Sequence, residues 1–254
     1  MSGSLSVVGL GPGGPGQQTA ETAAVLAAAD AVYGYTPYLA RVPEVPGQAR
    51  CASDNREEIE RAGAALARAA AGARVVVVSG GDPGVFAMAA AVCEAVERGP
   101  AEWRALDVSI LPGVTAMLAV AARVGAPLGH DFCALSLSDN LKPWPVVEQR
   151  LRAAAGAGFA LALYNPASRA RPWQLARALE LLLEHLPAST PVVFGRAVGR
   201  AGERVSIVPL VKAPAEPADM STLVLVGSPE TRVVERPGRP ALVYTPRTAQ
   251  RDGA

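Results

Sequence analysis

Two glycine-built loops, each directly after an apolar stretch, are the first places where this sequence could do chemistry. Gly9-Leu10-Gly11-Pro12-Gly13-Gly14 follows residues 5–9 and satisfies the spacing GxGxxG. In dinucleotide-binding proteins that spacing aims backbone N–H groups at a pyrophosphate from a helix start. Here Pro12 removes one N–H and Pro15 a second, so no helix can begin before Gln17. The acid that should close the following strand is also misplaced, because Asp30 stands before that strand and not after it. The loop is a poor phosphate cradle, and is read either as the lining of a small-molecule cleft or as a structural turn. Ser79-Gly80-Gly81-Asp82-Pro83-Gly84 ends the most β-branched run, residues 74–79. Its glycines let backbone approach a ligand closely, while Asp82 is either a ligand contact or a turn residue. Both loops are expected at one sheet edge, the carboxyl ends where open α/β sheets bind ligands.

Acid, base and nucleophile candidates are few. The chain has two histidines, His130 and His185. His185 falls near the end of a leucine-striped helix and is read as a surface residue complementing the helix dipole. His130, beside Asp131, is read either as substrate-facing or as a plain loop residue. Asp139, between Ser138 and Asn140, is either a turn residue or an acid/base group. Trp144 is either core or a wall for a flat ligand. Cys51, Cys93 and Cys133 show no metal-ligand spacing and suit a reducing compartment. No metal site and no Ser/His/Asp or Cys/His arrangement is expected.

The elements that must position these groups alternate along the chain. Strands are predicted over residues 5–9, 31–34, 74–79, 107–111, 133–137, 159–164, 191–195, 205–208 and 222–227. Helices are predicted over 19–29, from a capping box at Asp54 and Glu57 to 71, and over 85–98, 115–124, 146–155 and 172–186. The last carries the stripe Leu175, Leu179, Leu182, Leu183 and Leu186. This alternation predicts an α/β protein, with a mostly parallel sheet in the first half and a mixed sheet in the second. The expected division is a first domain over 1–113, a second over 114–245 and a tail over 246–254. The segment after about residue 236 reads as loose, apart from a possible edge strand at 241–245. No internal repeat is visible.

Composition narrows the classes further. The chain has 254 residues, half of them hydrophobic, and a mean hydropathy of +0.21, so it can bury a real core. A net charge of +1 argues against a nucleic-acid partner bound through a basic face. No apolar run reaches the roughly 18 residues of a membrane span, and the start reads as lacking a secretory signal. A soluble, cytoplasmic protein with no membrane partner is expected. Of the 24 basic residues only Lys142 and Lys212 are lysines. A GC-rich genome accounts for the arginine bias in general, while a few arginines are candidates for forking onto a polyanionic ligand.

In order along the chain, Gly9–Gly13 (GLGPG), Gly80–Pro83 (GGDP), Pro112–Ala116 (PGVTA) and Tyr164–Pro166 (YNP) resemble the tetrapyrrole methylases over essentially the whole length. Residues 34–38 (GYTPY), 125–132 (GAPLGHDF), 136–144 (SLSDNLKPW), 164–168 with Arg171, 199–200 and 219–222 (DMST) are similar to the subgroup that methylates C-17 of precorrin-3B as the ring contracts. One departure is Gly81, where that subgroup commonly has serine. The resemblance implies a two-domain α/β enzyme using S-adenosylmethionine, with S-adenosylhomocysteine as product, on a tetrapyrrole substrate, and a homodimer. Its cofactor contacts, carried onto this chain, are Pro12, Gly80, Gly81, Asp82, Val85, Thr115, Ala116, Tyr164, Asn165, Ala197, Ser221 and Thr222. Methyl transfer from a sulfonium needs alignment and no enzyme nucleophile, but ring contraction needs proton transfers, for which Asp139 and His130 are the candidates. The substrate's carboxylates are expected to meet Ser138, Arg169, Arg171, Arg196 and Arg200. The alternatives are a cobalt-containing substrate or another precorrin position, an NAD-binding oxidoreductase, and a non-catalytic carrier.

Overall fold

The computed structural model describes residues 3–54, 56–168 and 170–248. The chain forms two compact units, the first ending at Ala116 and the second beginning at Met117. The division lies three residues past the 113/114 boundary expected from sequence.

The first unit contains β1 (Ser4–Gly9), α1 (Ala20–Ala28), β2 (Ala31–Tyr35), α2 (Thr36–Leu39), β3 (Ala49–Ser53), α3 (Glu58–Ala70), β4 (Arg74–Ser79), α4 (Met88–Arg98) and β5 (Asp107–Leu111). Its five strands are all parallel, in the order β3-β2-β4-β1-β5. The pleat sorts β4 by alternation. Val75 and Val77 pack with Leu66 of α3 and Val92 of α4. Val76 and Val78 pack with Leu26 of α1 and with Leu39. The helices therefore cover both faces. The order also fixes a switch point: β1 leads across β4 toward β2, whereas β4 leads across β1 toward β5. The two connections leave on opposite faces because both crossovers are right-handed. The crevice that results opens at the carboxyl ends of β1 and β4.

The second unit holds α5, which starts one residue earlier (Ala116–Val124), then β6 (Gly125–Ala126), β7 (Phe132–Ser136), α6 (Trp144–Gly156), β8 (Ala160–Tyr164), α7 (Gln174–Leu183), β9 (Pro191–Arg196), β10 (Arg204–Pro209), β11 (Thr222–Val226), β12 (Arg232–Arg236) and β13 (Arg239–Tyr244). Its main sheet, β10-β9-β11-β8-β7, is mixed: β7 and β8 are parallel, and the other pairs are antiparallel. The Leu175–Leu182 face of α7 packs on Leu161, Leu163 and Val224.

Several elements differ from expectation. The helix after the GGDPG loop begins at Met88, not Val85, because Phe86 takes a φ of 53° and breaks the run. Residues 49–53 form the edge strand β3, and residues 36–39 a short helix, neither of which was expected. The segment expected to be loose instead forms the hairpin β12/β13, whose second strand pairs with β6. Of the expected tail, residues 249–254 lie outside the described residues. No helix among the described residues is long and apolar enough to cross a membrane.

Candidate active site

In the first unit the two glycine loops meet at the switch point. Gly11 and Gly81 exchange backbone hydrogen bonds of 3.1 and 3.0 Å, an antiparallel bridge off the ends of parallel strands. The contact needs glycine on both sides. Gly11 and Gly81 have φ of 66° and 67°, and a Cβ on Gly113 would lie 2.3 Å from the Gly81 carbonyl oxygen. Asp82 ties the loops together. Its Oδ1 accepts from Gly84 N–H at 2.8 Å and its Oδ2 from Gly113 N–H at 3.0 Å, so one carboxylate joins the GDP turn to the PGVT turn. Arg41 performs the matching role on the first loop, its Nη2 donating to the carbonyls of Leu10, Gly11 and Gly13 at 3.1, 2.8 and 2.6 Å. Pro12, Gly80, Gly81, Asp82, Val85 and Thr115 thus share one edge with the start of α5, where Ala116 stands.

The donor chemistry of this edge fits one kind of ligand better than another. Pro12 and Pro15 lack the N–H groups that a pyrophosphate needs, and no helix starts on the loop until a short 3-10 turn at Pro15–Gln17. Asp30, the acid at the sequence distance of a ribose-binding carboxylate, is taken by Arg74 at 2.7 Å. That hydrogen-bonded guanidinium holds its pKa at about 2. Bare backbone and one carboxylate suit a nucleoside ligand without phosphate.

In the second unit the strand directions put most expected site residues on a single edge. The carboxyl ends of β7, β8 and β9 lie beside the amino end of β11, since Ser136 pairs with Tyr164 and Thr222 with Arg196. Ser138, Asp139, Tyr164, Asn165, Arg171, Arg196, Ala197, Arg200, Ser221 and Thr222 follow or flank these ends. The loops there are braced from within. The Tyr164 hydroxyl accepts from Met117 N–H at 3.2 Å, in the first turn of α5. Asn165, at a φ of 52°, donates from Nδ2 to the Ser136 hydroxyl at 2.9 Å. The same hydroxyl accepts from Ser138 N–H at 3.3 Å. Glu203 accepts from Gly199 N–H and from Arg123 at 2.7 and 2.6 Å, which fixes the turn carrying Ala197 and Arg200.

Asp219 organises the DMST turn. Its Oδ1 accepts from Ser221 N–H and the Thr222 hydroxyl, and its Oδ2 from Arg196 Nε. Burial opposes its ionisation, but these bonds outweigh burial and hold its pKa below the ordinary carboxylate range. Thr222 is buried with its hydroxyl committed to Asp219, so it supports the turn from inside. Trp144 is likewise committed. Its ring packs edge-on to Trp173 with centroids 4.8 Å apart, and its Nε1 donates to Glu148 at 2.8 Å.

His130 is not brought to this edge. It precedes β7, and its neighbours Phe159 and Thr245 line a separate cavity of about 200 Å³ that also includes Glu230. Asp139 follows the opposite end of β7, a strand of five residues that spans roughly 16 Å. The structure therefore does not bring His130 and Asp139, the two candidates for proton transfer, to one edge. Of the arginines, Arg196 is engaged by Asp219, Arg200 is exposed, and Arg169 lies outside the described residues. Arg171 has one buried guanidinium nitrogen, Nη1, with no hydrogen-bond partner, and stands beside a cavity of about 430 Å³ lined by Ser168, Pro172, Asp219, Met220 and Ser221. Sequence reasoning missed Arg41, Ser136, Gln174, Asp219 and Glu203 as loop-bracing residues. Only Asp219 had a local signal, a side chain two and three residues ahead of the groups it caps.

Residues 4–214 match the family described as Tetrapyrrole (Corrin/Porphyrin) Methylases. The chain is 66% identical over 247 residues, 97% of each chain, to a Precorrin-3B C(17)-methyltransferase from Sinorhizobium sp. Its fold resembles that of the methyltransferase CobJ with a TM-score of 0.91 at 52% identity, covering 96% of this chain and 100% of that one. A uroporphyrin-III C-methyltransferase from Thermus thermophilus, solved with S-adenosylhomocysteine, shares the fold with a TM-score of 0.70 at 23% identity, over 89% of this chain and 97% of that one.

Proposed function

The chain belongs to the tetrapyrrole (corrin/porphyrin) methylases, and on that premise we propose that it is an S-adenosylmethionine-dependent C-methyltransferase of cobalamin biosynthesis, converting precorrin-3B to precorrin-4 by methylation at C-17 with ring contraction. The observation that carries this reading is the end-to-end 66% identity to the Sinorhizobium enzyme. S-Adenosylmethionine, when bound, supplies a methyl group already activated by its sulfonium. The chain's own residues then hold, orient and exclude water.

We assign Pro12, Gly80, Gly81, Val85, Thr115 and Ala116 of the first unit to holding the cofactor through backbone, with Asp82 fixing the loops that carry them. Tyr164, Asn165, Ala197 and Ser221 of the second unit are assigned to the cofactor by the family resemblance, with Thr222 bracing the turn that carries Ser221. Asp139 is assigned the proton transfers of ring contraction, without His130. Ser138, Arg171, Arg196 and Arg200 are assigned to the substrate's carboxylates, as is Arg169 on sequence alone; fork geometry suits guanidinium for that task. The family resemblance supports a cytoplasmic homodimer, which sedimentation velocity tests.

The deciding experiment is mass analysis of the product formed from S-adenosylmethionine and metal-free precorrin-3B. A product of precorrin-4 mass is expected. Turnover only of the cobalt-containing substrate would move the enzyme to the anaerobic route, and a thermal shift with NAD but none with S-adenosylhomocysteine would overturn the cofactor assignment.

A further inference from the structure

Gln174 is the first residue of α7 and is 1% exposed. Its Nε2 lies 3.3 Å from both carboxylate oxygens of Asp139, while its Oε1 is buried without a hydrogen-bond partner. An orphaned buried acceptor costs about 1–3 kcal/mol and calls for a reason. Leu175, Leu179 and Leu182 of the same helix are all in the core. An apolar residue at 174 would suit that core better, so the amide is retained for what it does to Asp139.

We propose that Gln174 is the positioning residue that holds Asp139 in both of its protonation states. An amide is neutral and carries a donor and an acceptor on one carbon. Facing the carboxylate, it donates from Nε2 across both oxygens and fixes the plane of the group. Facing the carboxylic acid, a half-turn about its last bond presents Oε1 to the acid's O–H. An arginine or lysine in this place would hold Asp139 permanently ionised, and a leucine would leave it unplaced. The bonds are long for a charged acceptor, and a single neutral amide leaves the remaining lone pairs of the carboxylate open to a proton in flight. The charged groups on the surrounding elements leave this arrangement intact. Glu148 and Arg152 of α6 and Arg177 of α7 are bonded to one another. Lys142, in the loop with Asp139, has its ammonium pKa lowered by burial and by Arg150. Asp139 has no ion pair among the described residues.

This inference rests on Asp139 as the proton-transfer group, and its test separates the two. The full chain is assayed with precorrin-3B and S-adenosylmethionine as wild type, Asp139→Asn, Gln174→Met, Gln174→Glu and the double variant Asp139→Asn/Gln174→Met. Methionine fills the same space and removes the orphaned acceptor, so Gln174→Met should match or exceed the wild-type Tm and bind S-adenosylhomocysteine unchanged. Its kcat should fall at least roughly tenfold with KM little altered, against the roughly 10²–10⁴-fold expected of Asp139→Asn. In the double variant the loss should be no greater than in Asp139→Asn alone. Gln174→Glu keeps the side chain's length and should displace the kcat–pH profile upward, because two carboxyls this close share a proton. Wild-type turnover in Asp139→Asn removes Asp139 from the chemistry, and this proposal with it. A dead Asp139→Asn with an unimpaired Gln174→Met and an unmoved pH profile for Gln174→Glu, or multiplied losses in the double variant, overturns the role of Gln174 while leaving Asp139 in place.

Discussion

Asp82 is the residue where a direct cofactor contact and a brace predict different measurements. Its two oxygens hold the N–H groups of Gly84 and Gly113 at 2.8 and 3.0 Å. Hydrogen bonds to a charged acceptor contribute about 1.5–3 kcal/mol each, and the partial exposure of this turn argues for the low end. Asp82→Ala should therefore destabilise the ligand-free protein by about 2–4 kcal/mol, or roughly 4–16 °C in Tm for a chain of this size. Asp82→Asn keeps one acceptor and turns an N–H₂ toward a backbone N–H, so it should lose at least one of the two bonds. Because the loops shift, affinity for S-adenosylhomocysteine falls in both variants. The assay is a thermal melt of the ligand-free variants, paired with calorimetric titration of S-adenosylhomocysteine. The discriminating quantity is the ligand-free Tm. If Asp82→Ala melts with the wild type yet loses the ligand, Asp82 touches the cofactor and braces nothing, and the reasoning from its bond partners is refuted.

Gly113→Ala puts a Cβ 2.3 Å from the Gly81 carbonyl and 2.9 Å from Gly9 Cα; no backbone there can yield cheaply, and a loss of several kcal/mol with loss of S-adenosylhomocysteine binding is expected by urea melt and titration. Ala197→Gly relieves a φ of 50°. The left-handed penalty of about 1–2 kcal/mol exceeds glycine's entropic cost of about 0.5–1 kcal/mol, so the urea midpoint should hold or rise slightly. Asp30 has its pKa lowered to about 2 by Arg74. The stabilisation from that pair is present above the unfolded value near 4 and is lost as pH falls toward 2. NMR titration should place the Asp30 midpoint near 2, and Arg74→Ala, which removes the guanidinium but keeps the N–H of residue 74 on Asp30 Oδ2, should raise it without restoring the ordinary value near 4.

The sequence made the parallel half of the molecule legible because its strands are buried on both faces and read as unbroken apolar runs, as Arg74–Ser79 does. It hid β3, where Ala-Arg-Cys-Ala-Ser is a half-exposed edge with no periodic signal, and β12, whose charged residues look like a loose tail until β13 pairs with it. Candidate site residues carried by a loop motif were visible: Gly80–Asp82, Asn165 and Asp139 announce themselves by their neighbours. Their braces were not. Arg41 reaches Leu10 and Gly13 across about thirty residues of chain, and Gln174 reaches Asp139 across 35; such pairs are set by strand order and helix placement, which spacing does not encode. His130 shows how spacing can mislead. Nine positions from Asp139, it looks adjacent in sequence, but an extended strand carries the two to opposite edges of the sheet.

Backbone strain marks the same edges independently of any motif. Among the described residues the non-glycine positions at positive φ are Phe86, Asn165 and Ala197. Each follows a strand closely: Phe86 lies in the loop after β4, Asn165 directly after β8, and Ala197 directly after β9. For a bulky side chain such as the half-exposed Phe86 a positive φ is a genuine outlier. Such outliers persist where the surrounding structure over-determines them, and they gather at sites where geometry is the function. The bracing found here is of that kind, with Ser136 on Asn165 and Glu203 on the turn after Ala197. A transfer whose methyl group arrives already activated asks the protein chiefly for position. In the second unit, loops held in unfavourable conformations by partly buried hydrogen bonds supply that position at the ends of β8 and β9.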